Sequence, residues 1–154
     1  LSPNNKFLIE ERSLFYAPSA NVFLVFTKSA EKFGKKADET ILSIGNPAFN
    51  QKDFPNLENL EPAETEAKEI AGLYQNPRTL LTKDVSKDKV KAELPNKDVL
   101  HFAGHYEVNE TSPLNSSFIL ANSGQENPNL ANYELIGENL SKIRLVVLSA
   151  CRTN

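Results

Sequence analysis

Short apolar runs recur along the chain, separated by polar stretches rich in Asn, Pro and Gly. Ile41-Leu42-Ser43-Ile44-Gly45, Val99-Leu100-His101-Phe102-Ala103 and Phe118-Ile119-Leu120-Ala121 have the length and bounding residues of strands. Leu145-Val146-Val147-Leu148-Ser149 is apolar almost throughout, the pattern of a strand buried on both faces. Thr79-Leu80-Leu81 predicts a shorter strand. Between these runs the period changes. Ala63, Ala67, Ile70, Ala71 and Tyr74 recur at helical spacing behind Pro62, which suits a first helical turn. Acidic residues early in that segment suit the positive end of the helix dipole. Ser86 predicts a helix cap, with Val90 and Leu94 on one face and Pro95-Asn96 as the stop. A further short helix is expected from Tyr133 to Leu140.

The first forty residues are less regular. Phe7-Leu8-Ile9 and Ser13-Leu14-Phe15-Tyr16 read as short extended pieces. Val22-Phe23-Leu24-Val25-Phe26 has no decisive period of its own. Ser19 as a cap and the length available select a helix from Ala20 to about Phe33, closed by Gly34. Turns or loops are predicted at Gly45-Asn46-Pro47, Asn76-Pro77 and Asn127-Pro128, with a longer loop over 50–60. Strands thus alternate with helices. That order predicts an α/β domain with a mainly parallel sheet and helices on both faces.

Composition changes this picture little. The 154 residues suit one domain or part of a larger one, and 40% hydrophobic with 24% charged residues can form a core. The formal charge of −3 gives no reason to expect a nucleic-acid partner. No apolar run approaches the ~18 residues that span a bilayer, and Leu1-Ser2-Pro3-Asn4-Asn5-Lys6 lacks the charged-then-apolar pattern of a signal peptide. With Cys151 as the one cysteine, no internal disulfide can form, which fits a reducing, cytoplasmic compartment.

Ligands of open α/β sheets bind beyond the carboxyl ends of the strands. Two strong strands run out into reactive residues there: Val99–Ala103 through Gly104 into His105, and Leu145–Ser149 through Ala150 into Cys151. Parallel and adjacent, they would deliver an imidazole and a thiol to one sheet edge, an arrangement suited to nucleophilic catalysis. Taken singly, a Cys ending an apolar strand is an inert small residue and a loop His is polar surface. The spacing favours more. His105 precedes Cys151 by 46 residues, and peptidases of the caspase type place their histidine about 50 residues before a Gln-Ala-Cys nucleophile motif. Ala150-Cys151-Arg152 shares the core of that motif.

In family order, the segments Leu8-Ile9-Glu10, Tyr16-Ala17-Pro18-Ser19, Gly45-Asn46-Pro47, 60–67, 99–105 and 145–153 resemble the CHAT domain. This is the caspase-like peptidase domain of bacterial proteins that often carry TPR repeats. The resemblance implies a caspase-like three-layer sandwich, with a mainly parallel sheet flanked by helices, and a cysteine endopeptidase acting on protein substrates in regulated proteolysis. It places the general base and acid on His105 and the nucleophile on Cys151. The oxyanion hole falls to the backbone N–H groups of Tyr106 and Cys151. The family has Gly where this chain has Tyr106, and further strands and helices follow its cysteine and help form the substrate pocket. The chain therefore reads as one CHAT domain over 1–154, its N-terminal, large-subunit-like portion, incomplete at the C-terminus. The missing half and a TPR or regulatory module are the partners implied, and this portion alone is expected to have little activity. No metal or organic cofactor is implied.

Three other readings follow from the residues. Tyr106 and the missing C-terminal half motivate a catalytically degenerate interaction or scaffold domain. A nucleotide-binding α/β domain is disfavoured because no Gly-rich phosphate loop follows a strand. His101 and His105 could pair as metal ligands on a helix, but on a strand four residues span about 13 Å. His101 reads instead as a core residue supporting its strand.

Overall fold

The computed structural model describes residues 5–13, 16–34, 38–124, 127–150 and 152–153. Contacts divide the chain into two compact units, parted between Lys36 and Ala37.

The first unit holds two helices, α1 (Leu8–Glu11) and α2 (Ala20–Phe33). Helix α1 corrects the extended reading of Phe7-Leu8-Ile9. The Glu10 carboxylate accepts the Phe7 N–H at 2.7 Å and so satisfies a donor that a helix start leaves open. Of the second extended piece, Leu14 and Phe15 lie outside the described residues. Helix α2 has the bounds expected. Ser19 Oγ accepts the Val22 N–H at 3.2 Å, and Gly34 stops the helix at φ +62°, a conformation that favours glycine.

The second unit is the α/β domain. In chain order it contains β1 (Thr40–Gly45), α3 (Glu61–Ala71), β2 (Asn76–Leu81), α4 (Lys87–Glu93), β3 (Val99–Ala103), β4 (Tyr106–Glu107), β5 (Ser117–Phe118), β6 (Leu130–Ala131), α5 (Asn132–Ile136), β7 (Leu145–Ser149) and β8 (Arg152–Thr153). The main sheet has the order β2-β1-β3-β7 with all neighbours parallel. A smaller sheet, β6-β5-β4-β8, continues beyond its carboxyl edge. This is the helix-flanked parallel sheet that the sequence predicts, consistent with a caspase-like α/β sandwich.

Strand alternation divides the core. Leu42 and Ile44 of β1, Phe102 of β3 and Leu80 of β2 join Val85, Val90 and Leu94 in one apolar cluster, which Phe118, Leu120 and Leu130 complete. Ser43 and Gly45 face α3 instead. That helix presents Ala63, Ala67 and Ala71, all buried, and the small side chains let it approach closely. A Cβ on Gly45 would lie 2.6 Å from both the Ala63 carbonyl oxygen and the Ala67 Cβ.

Three local readings are corrected. Asn76-Pro77 opens β2 rather than forming a loop, because β2 is the sheet edge and proline's missing N–H is tolerated there. Only Ser117–Phe118 of the run around 118–121 pairs as a strand. The next three N–H groups go instead to the His105 carbonyl, the Asn129 side chain and the Val85 carbonyl. Strand β7 is not buried on both faces. It is the other edge of the main sheet, and Leu145–Leu148 are 41–53% exposed.

An ionic cluster joins α4 to α5. Glu134 receives the Ala131 N–H at 3.0 Å and lies 3.1 Å from Lys87 and 3.3 Å from Lys91. Partial burial opposes its charged form, but these donors outweigh burial and hold its carboxyl below the ordinary value of 4.5. A depressed folded value means stability that is present above 4.5 and lost as the pH falls through the lower folded value. Glu134→Gln should therefore be less stable than wild type above about pH 5, with the gap closing at lower pH. Urea melts across that range check this.

Candidate active site

The carboxyl ends of β1, β3 and β7 meet where the main sheet gives way to the smaller one. β3 pairs with β7 in the register Phe102↔Leu148 and Ala103↔Ser149. The Gly104 N–H donates to the Ser149 carbonyl at 3.2 Å. Beyond the junction, β4 pairs with β8 in the register Tyr106↔Arg152. Residues on either side of position 151 are thus paired with residues on either side of His105. Cys151 itself lies outside the described residues.

The imidazole of His105 is half-buried and held from one side. Its Nε2 is 2.7 Å from the Glu58 carbonyl oxygen. A carbonyl only accepts, so Nε2 carries the proton and Nδ1 of the neutral ring has the lone pair. Phe49 packs edge-on against the ring, with centroids 5.3 Å apart. Both partners come from the loop after β1. Asn46 starts that loop at φ +49°, and its Oδ1 accepts the Leu60 N–H at 2.9 Å, tying the two ends of the loop together. Gln51 braces the interior by donating to the Leu57 carbonyl at 2.7 Å. Neither Glu58 nor Phe49 was singled out by the sequence reading. The Glu58 contribution is a backbone oxygen, which no side-chain pattern announces.

A model of the family described as CHAT domain matches residues 1–154. The chain belongs to this family. It is therefore part of a caspase-like, peptidase-related group. No curated protein matches it.

In this CHAT domain Tyr106 stands where the resemblance leads one to expect Gly. The positive-φ residues among the described non-glycine positions are Asn5, Asn46 and Thr82, so Tyr106 needs no glycine-like backbone. Its ring packs edge-on to Phe118 at 5.0 Å, and its hydroxyl accepts from Asn132 Nδ2 at 2.8 Å. The side chain is thus anchored to the smaller sheet.

His101 is buried, as expected of a core residue, but it is also part of a polar chain that the sequence reading missed. Its Nδ1 lies 3.0 Å from Ser43 Oγ and its Nε2 3.0 Å from Glu66 Oε1. Inward alternation on β3 and a Glu next to the inward Ala67 of α3 were the available signals. Close to His105 in sequence, Glu107 lines a cavity of about 140 Å³ with Asp53, Phe54, Pro55, Leu57 and Ile119. Among the described residues no group of three or more His, Cys, Asp or Glu side chains could hold a metal ion. No helix among them is long and apolar enough to cross a membrane.

Proposed function

We propose that this CHAT domain is a cysteine endopeptidase domain with Cys151 as nucleophile and His105 as general base and acid. The pairing of β3 with β7 and of β4 with β8, which brackets both positions, is the observation that carries this reading. With Nε2–H committed to the Glu58 carbonyl, Nδ1 of His105 takes the thiol proton. The thiolate attacks the scissile carbonyl carbon, and the Tyr106 and Cys151 backbone N–H groups stabilise the oxyanion. Collapse expels the amine, which takes the proton back from Nδ1. Water, deprotonated by the same nitrogen, then hydrolyses the thioester and restores the thiol. The cavity beside Glu107 offers a mostly apolar recess for part of an extended polypeptide. The substrate is a protein, cleaved in regulated cytoplasmic proteolysis, with a TPR or regulatory module as the controlling partner.

A peptidyl acyloxymethyl ketone applied to the full natural protein tests the reading. Covalent labelling is expected, and Cys151→Ala and His105→Ala should each abolish or nearly abolish it. No labelling of the wild type by a panel of such probes would favour a catalytically degenerate scaffold domain.

A further inference from the structure

One carboxylate joins the two strands that lead to the proposed dyad. Glu66 of α3 places Oε1 3.0 Å from His101 Nε2 on β3 and accepts the Ser149 hydroxyl of β7 through Oε2 at 3.1 Å. His101 precedes His105 by four residues, and Ser149 precedes Cys151 by two. The His101 side is rigid. The ring is 2% exposed and also meets Ser43 Oγ, which donates to the Ala67 carbonyl at 2.8 Å, one residue along α3 from Glu66. The circuit therefore runs from α3 to β1, to β3 and back to α3. The Ser149 side is different. Here the carboxylate reaches the hydroxyl of the last residue of β7, two positions before Cys151.

We propose that Glu66 is a positioning residue of the peptidase site, tethering the end of β7 to the buried His101 circuit so that Cys151 is held in register with His105. The proposal rests on the dyad reading above. A misplacement of about 1 Å at a reacting group can cost as much as 10²-fold in rate. The backbone ladder sets which residues are opposite. The tether limits how far the strand end can twist or slide. A glutamine can keep both contacts: Ser43 donates to Ala67 and so accepts from His101 Nδ1, leaving Nε2 of the neutral ring to accept from the glutamine amide while the glutamine carbonyl accepts the Ser149 hydroxyl. An alanine keeps neither.

The test measures inactivation of the full natural protein by the peptidyl acyloxymethyl ketone that labels wild type, separating the maximal rate from half-saturating probe concentration. Glu66→Ala should lower the maximal rate roughly ten- to hundredfold with little change in half-saturation. Ser149→Ala, a small change at an exposed site, should do much of the same, and the double variant should be no slower than Glu66→Ala. Glu66→Gln should recover most of the rate. If Ser149→Ala and folded Glu66→Ala react as fast as wild type while His105→Ala does not react, the tether is wrong and the dyad stands. If His105→Ala also reacts at the wild-type rate, the dyad reading fails and takes the tether with it.

Discussion

His105→Ala will slow modification of Cys151 by the peptidyl probe by roughly 10²- to 10⁴-fold at neutral pH, the range lost when a positioned general base is removed. The structure gives a reason for an effect this large. The ring is oriented by the loop after β1, through the Glu58 carbonyl at 2.7 Å and the edge-on Phe49 ring. That contact fixes which nitrogen is protonated, so the lone pair of the other is available without reorganisation. Stability should change little, because the imidazole is only half-buried and its polar partner is a carbonyl that water can reach. Unchanged circular dichroism and melting temperature, with the slowed labelling, are therefore expected together. Labelling within a fewfold of wild type would show that His105 takes no part in activating the thiol.

Phe102→Ala will destabilise the α/β unit by about 3–5 kcal/mol, the usual cost of removing a buried phenylalanine. Phe102 is 2% exposed and packs edge-on to Phe118 with ring centroids 4.8 Å apart. It joins the main sheet to the smaller one at the turn where β3 runs toward His105. On the side of Gly104 the fit is tight. A Cβ on Gly104 would meet the Phe102 ring at 2.9 Å, so the glycine and the ring fit each other. The neighbouring Leu42, Ile44, Leu94 and Leu120 are fully buried and cannot readily close the cavity. Urea denaturation should show a lower midpoint at unchanged slope. A loss below about 1 kcal/mol would mean that the two sheets do not share the core described.

Much of this architecture was legible because local chemistry and tertiary demand agree. Ser19 and Gly34 bound α2 in the sequence and in the structure alike. The runs 99–103 and 145–149 are strands and parallel neighbours, which composition alone could suggest only as a condition. Where the reading failed, a cap, a place in the sheet or a partner that no periodicity announces decided the outcome. Phe7-Leu8-Ile9 looked extended until the Glu10 carboxylate capped it. Asn76-Pro77 reads as a turn because sequence does not say which strand is an edge. The apolar run of β7 was read as doubly buried, yet its place at the end of the sheet order leaves it half-exposed. In the candidate site, His105 was visible from its place after a strand. Its orienting partner was not, because that partner is a peptide oxygen brought in from 47 residues away. Glu66 is not singled out by the sequence, where the acidic residues of its segment only suit the helix dipole. Only the packing of α3 against β1 and β3 brings it to His101 and Ser149.

The separation of Cys151 Sγ from His105 Nδ1 in a crystal structure of the full natural protein tests the central claim most directly. The account predicts the two atoms facing each other within about 4 Å, somewhat looser than a tight hydrogen bond, as in many ligand-free nucleophile–base pairs. A sulfur directed to the opposite side of the sheet from the imidazole would contradict it.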